Sequence, residues 1–189
     1  MSKAYFERIV AVLKQKYPDE YDESMEFKRV SKPATAKEFA EEVIYVICVS
    51  GFKATIAKAI SRRCISALKK GHSAKTVYGH LGKSKAIDQV WQDRKLYFEE
   101  FKKAKNVDWF ETLPFIGPIT KYHIAKNCGF NVAKADVHLV RLAKNWNTTV
   151  DKLCTHLVDQ TGYRKAVVDS LLWEACRNKL ISSKTGKLI

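Results

Sequence analysis

Leu113-Pro114-Phe115-Ile116-Gly117-Pro118-Ile119-Thr120 is followed, nineteen residues after Gly117, by Asp136 within Ala135-Asp136-Val137-His138-Leu139-Val140-Arg141-Leu142. The first stretch reads as a tight turn between two helices. Pro118 is suited to the first position of the second helix, which the pattern carries to Gly129. A glycine at 117 lets a ligand approach the backbone closely, and the exposed N–H groups and positive end of the following helix suit a phosphate. In the second stretch Asp136 precedes an apolar helical pattern in which Val137, Val140 and Leu142 are expected to pack inward. An aspartate here fits two roles, an ordinary N-cap or a carboxylate held ready for chemistry.

Working outward, helical periodicity runs through the whole chain with no alternating strand pattern. A first helix spans Lys3 to Lys16 and stops near Pro18. An acidic linker, Asp19 to Glu26, leads to a basic turn ending at Pro33. Thr35 and Glu38 form a capping box for a helix reaching Val49. Gly51 breaks the pattern, and the next helix runs from Phe52 to Lys70, closed by Gly71. Gly71 to Lys83 reads as loop with a short helix, followed by helices over Lys85–Trp91 and Asp93–Lys103. A short helix over Val107–Thr112 enters the hairpin, and three more fit Asp136–Asn145, Val150–Gln160 and Arg164–Lys179. Lys179–Ile189 reads as a loose basic arm, and Trp109, Trp146 and Trp173 as core anchors. About ten short-linked helices imply an orthogonal all-α bundle, one domain over residues 1–189.

Charge supplies the first functional constraint. The chain carries 34 Lys and Arg against 20 Asp and Glu, a net charge of +14. Such an excess attracts a polyanion and makes its binding salt-dependent. The lysines are spread along the chain instead of lining one amphipathic helix, which disfavours a membrane surface. No apolar run is long enough to span a bilayer, and residues 1–5 lack a signal-peptide core, so a cytoplasmic protein is expected. Five scattered cysteines form no CxxC pair, leaving zinc and iron–sulfur sites without a ligand pattern. Buried thiols are expected, with no metal.

Taken together, the two motifs resemble the hallmark of the helix-hairpin-helix DNA glycosylase superfamily: a Leu-Pro-Gly-apolar-Gly turn, then an aspartate followed by an apolar helix. The likeness covers about Trp109 to Ala143, with the hairpin at about 107–129 and the aspartate loop at about 133–142. It implies two helical lobes with the active-site cleft between them. It also implies a hairpin that grips DNA backbone through Gly117, Ile119, Thr120, Lys121 and Lys126, and a target base flipped from the stack. The family's aspartate falls on Asp136, which would stabilise positive charge on the deoxyribose and activate the nucleophile. No cofactor is implied beyond a monovalent cation at the hairpin. The sequence departs from the family in three places. Phe115 replaces the first turn glycine, Ile119 stands where bifunctional members carry an imine-forming lysine, and the C-terminal cysteine cluster is missing. A monofunctional, metal-free member is the expectation.

The break at Ser50-Gly51-Phe52-Lys53 lies where such proteins reach into DNA, so Phe52 is either a wedge between bases or a core aromatic. Glu42, Tyr45 and Trp91 are further pocket candidates. The leading expectation is a monomeric repair enzyme that excises a damaged or modified base from double-stranded DNA. A second keeps the fold but transfers an amine onto an activated thymine, as in bacteriophage base hypermodification. A third is a non-catalytic DNA-binding module in which Asp136 only caps a helix.

Overall fold

The computed structural model describes all residues, 1–189, and is helical throughout. In chain order the helices are α1 (Lys3–Lys16), α2 (Pro18–Glu26), α3 (Ala36–Val49), α4 (Ala54–Lys69) and α5 (Leu81–Gln92). They continue as α6 (Arg94–Lys103), α7 (Thr120–Asn127), α8 (Val137–Lys144), α9 (Val150–Thr161) and α10 (Lys165–Arg177). Two 3₁₀ turns, Ala74–Thr76 and Val107–Thr112, complete the set. No helix is long and apolar enough to cross a membrane.

The chain divides into two compact units. One joins residues 1–31 to 129–189, and the other spans 32–128. In the first, α10 packs against α1, α2, α8 and α9. Ala166 to Leu172 are all buried, the pattern of a helix surrounded on every side. In the second unit α3 holds the centre, packing against α4, α5, α6 and α7. Its start is fixed by Thr35, whose hydroxyl accepts the Glu38 N–H at 3.1 Å, while Glu38 reaches back to the Ala34 N–H at 2.8 Å. The capping box is therefore real, displaced by one residue on its return arm. Phe39, fully buried, then stacks on Phe101 with centroids 4.7 Å apart and meets Trp109 at 6.1 Å. This aromatic cluster ties α3 to α6 and to the 3₁₀ turn that enters the hairpin.

Several expectations need correction. The acidic linker is a helix, α2: Pro18 ends α1 but also supplies the preset φ of a first helical residue, with Asp19 and Glu20 in the favourable first turn. Helix α5 begins at Leu81, four residues before the expected start, capped by the His80 ring. Helix α7 begins at Thr120, with Pro118 and Ile119 in the turn before it. In α8 the buried face is Leu139, Leu142 and Ala143, whereas Val137 and Val140 are exposed. The C-terminal arm is not loose. Leu180 and Ile181 are buried, the Ile189 N–H donates to the Leu180 carbonyl, and Tyr5 Oη donates to the Gly186 carbonyl at 2.7 Å. Gly186, at φ +69°, lies against Trp146 so closely that a Cβ would stand 2.8 Å from the ring. The five cysteines are free and buried, as their scatter suggested.

Candidate active site and DNA-binding hairpin

Asp136 lies in the first unit, at the start of α8. Its Oδ1 accepts the N–H groups of His138 at 2.9 Å and Leu139 at 3.0 Å, so it is an N-cap. Both bonds converge on one oxygen, and Oδ2 takes none. Capping and chemistry therefore do not compete, since each can use its own oxygen. Cys176 lies close by: burial first, and then the Asp136 charge, push its thiol up to about 12. In the same turn the buried Nδ1 of His138 meets no hydrogen-bond partner.

The loop that delivers Asp136 is fastened to the first turns of α10. Arg164 donates to the carbonyls of Gly129 and Phe27, both at 2.9 Å, and the Ala166 N–H donates to Asn131. Asp169, 1% exposed, accepts the Lys134 N–H at 2.9 Å. These anchors went unseen in the sequence because they link residues 35 or more apart, and no local pattern records such a pairing. Asp169→Ala leaves the Lys134 N–H without this acceptor, so a loss of about 1–3 kcal/mol is expected on chemical denaturation. The Asp136 loop should loosen with it, seen as faster amide hydrogen exchange in that loop.

The hairpin belongs to the second unit. Asn106 caps the 3₁₀ turn through the Asp108 N–H, and Leu113 and Ile116, both buried, seat the bend. Thr120 closes it: its hydroxyl accepts the Gly117 N–H at 2.8 Å and sits 3.2 Å from the Gly117 carbonyl. A Cβ at Gly117 would meet nothing in the chain nearer than 4.0 Å. The space the glycine keeps is thus open to a ligand, not filled by a neighbour. The N–H groups of Ile119 and Thr120 have no acceptor within the chain, as at any helix start.

The two lysines assigned to DNA backbone are both buried. Lys121 is buried, with its ammonium 2.7 Å from Asp108 and paired also with Glu111. Those carboxylates hold its pKa above the ordinary lysine range. It stitches α7 to the 3₁₀ turn instead of projecting outward. Lys126 is likewise buried, 8% exposed. Lysine counting cannot separate such internal pairs from a solvated face. The main-chain carbonyls of the turn are the oxygens available to the monovalent cation that the resemblance attaches to the hairpin. Those of Phe110, Leu113 and Gly117 each accept one N–H from within the turn, which leaves each a second lone pair.

Among the pocket candidates, Glu42 and Tyr45 share the side of α3 that meets α7. Glu42 accepts from Asn127 at 3.1 Å, and Tyr45 meets the His123 ring edge-on at 6.1 Å. Burial raises the Glu42 pKa, the Asn127 bond opposes it, and Glu41 adds to the rise. Trp91 is apart from both, its ring covered by the Arg94 guanidinium at 4.7 Å. Phe52 is not a core residue, being 44% exposed. The structure brings it to a group that sequence reading missed, namely Lys83 and Phe115. Two shallow surface grooves of about 480 and 500 Å³ involve none of these residues.

No family model and no curated relative matches the sequence. Solved structures do. An 8-oxoguanine glycosylase/lyase of Methanocaldococcus jannaschii, in complex with a 15mer DNA containing 8-oxoguanine, superposes with a TM-score of 0.63 at 17% identity, over 96% of this chain and 98% of that one. The 8-oxoguanine DNA glycosylase of Thermotoga maritima gives a TM-score of 0.64 at 16% identity, over 97% of each chain. Over nearly its whole length this chain thus has the all-helical fold of these two 8-oxoguanine DNA glycosylases.

Proposed function

We propose that the protein is a DNA glycosylase that hydrolyses the N-glycosidic bond of an altered base flipped from double-stranded DNA. The observation that carries the reading is Asp136, one oxygen fixed by two N–H groups and the other left free, on a fold shared with 8-oxoguanine glycosylases. As the C1′–N bond breaks, the bonding pair leaves with the base and positive charge grows on the deoxyribose. A carboxylate fixed in advance stabilises that charge without reorganising. Its free oxygen can take a proton from the water that attacks C1′. The anchored turn gives the backbone phosphates the N–H groups of Ile119 and Thr120, and the net charge of +14 draws the duplex in. Ile119 cannot form an imine, so this hairpin leaves the product an intact abasic site. The protein acts as a monomer on cellular DNA.

The test is incubation with duplexes carrying a panel of oxidised, deaminated and alkylated bases, scored for free base and for alkali-labile sites. Free base with strand cleavage only after alkali is the expected result. Binding without release from any duplex would sink the excision reading. An intact but altered nucleoside by mass spectrometry, after an amine donor is supplied, would replace it with group transfer.

A further inference from the structure

We propose that Phe52 and Phe115 form a seat for one unstacked nucleobase of bound DNA, with Lys83 as the cation that joins the two rings and meets the edge of the base. The seat rests on the reading of the protein as DNA-acting, but it is independent of excision.

Lys83 lies near the start of α5 and is only 3% exposed. Its ammonium donates to the Ser50 carbonyl at the end of α3. It stands 5.0 Å from the centroid of the Phe52 ring and 5.7 Å from that of Phe115. No carboxylate pairs with it, and burial lowers its pKa, opposed in part by Cys48. A buried ammonium without a counter-ion is costly, and more so in a protein already strongly positive. Both rings beside it are open, 44% and 45% exposed, so they do not repay that cost as core packing.

Phe115 carries a second cost. Its φ of +64° is left-handed backbone, where glycine sits without strain and a phenylalanine does not. The ring is nevertheless held in place. His80 meets it edge-on at 5.9 Å, and a Cβ at Gly82 would stand 3.5 Å from it, so the glycine keeps room for it. A strained residue whose ring is oriented by its neighbours and left uncovered marks a binding position. The fitting occupant is flat, apolar on its faces and rich in acceptors at its edge, and must come to a basic protein. An unstacked nucleobase has all of these properties.

The experiment compares the affinity of the whole protein for two duplexes. One carries a single extrahelical thymidine, and the other a tetrahydrofuran residue at the same bulge. Phosphates and bend are shared, and only the base differs. A preference of about tenfold for the base-bearing bulge is expected from stacking. Phe115→Gly relaxes the turn, so the variant should fold, and its preference should collapse towards unity with an unchanged salt slope on both duplexes. Phe52→Leu and Lys83→Met should each reduce the preference. A wild-type preference near unity, or a tenfold preference surviving in Phe115→Gly, would overturn the seat. So would a Phe115-dependent dimer in sedimentation, with no Phe115-dependent base preference. A protein that releases no base, yet shows this Phe115-dependent preference, would overturn excision and leave the seat standing.

Discussion

Asp136→Asn is expected to lower single-turnover base release by about 10²- to 10⁴-fold while fold and DNA affinity survive. The separation is possible because the two demands fall on two oxygens. The amide oxygen of asparagine can still accept the His138 and Leu139 N–H groups that now bond Oδ1. Asparagine ranks with aspartate as a helix cap, so the stability change should stay under about 0.5 kcal/mol. A neutral amide, however, can neither offset charge growing on the sugar nor take a proton from water. Asp136→Ala adds the loss of the cap, about 1 kcal/mol more on denaturation, with a similar loss of rate. Measuring release and unfolding on both variants isolates the chemical role. An asparagine variant that turns over at the parent rate would reduce Asp136 to a cap.

The parts of this site that were legible in the sequence are those built from short-range rules. Thr35 with Glu38, Gly71 at φ +80° and Gly129 at φ +85° bounded helices correctly because caps and left-handed turns are set within a few residues. The turn at Gly117 and the cap at Asp136 were legible for the same reason, and the all-helical fold they pointed to is the one that the solved structures share. Pro18 misled because proline serves both as a stop and as a first helical residue, and only packing of α2 against α1 and α10 decides between them. Val137 and Val140 misled because valine beside a cap looks like a core residue, whereas the face that meets the core runs Leu139, Leu142, Ala143.

Charged side chains were the least legible. Lys121 and Lys83 are both buried lysines of the second unit, but one pairs with two carboxylates and the other with a carbonyl and two rings. Their partners come from the 3₁₀ turn of the hairpin in one case, and from Ser50, Phe52 and Phe115 in the other. Composition counts both alike as positive charge. The distinction between a stitch and a binding position exists only once the chain has brought distant residues together.

Phe39→Ala should produce the largest stability loss among core changes in the second unit, about 3–5 kcal/mol. The ring is fully buried, stacks on Phe101 at an interplanar angle of 22°, and touches Phe98 at 6.3 Å and Trp109 at 6.1 Å. Truncation removes the transfer energy of the ring and leaves a cavity bordered by three other rings, stiff groups that collapse poorly into it. The consequence reaches function through Trp109, which belongs to the 3₁₀ turn whose Asp108 and Glu111 hold Lys121 and so set the start of the hairpin. Duplex affinity should therefore fall with stability, although Phe39 contacts no DNA. Phe39→Leu keeps most of the volume and should cost about half as much, with affinity nearly retained. Urea denaturation and duplex binding, measured on both variants, test the link. Phe39→Ala costing under 1 kcal/mol, or costing its full amount while the hairpin binds as before, would show that the aromatic cluster does not support the hairpin.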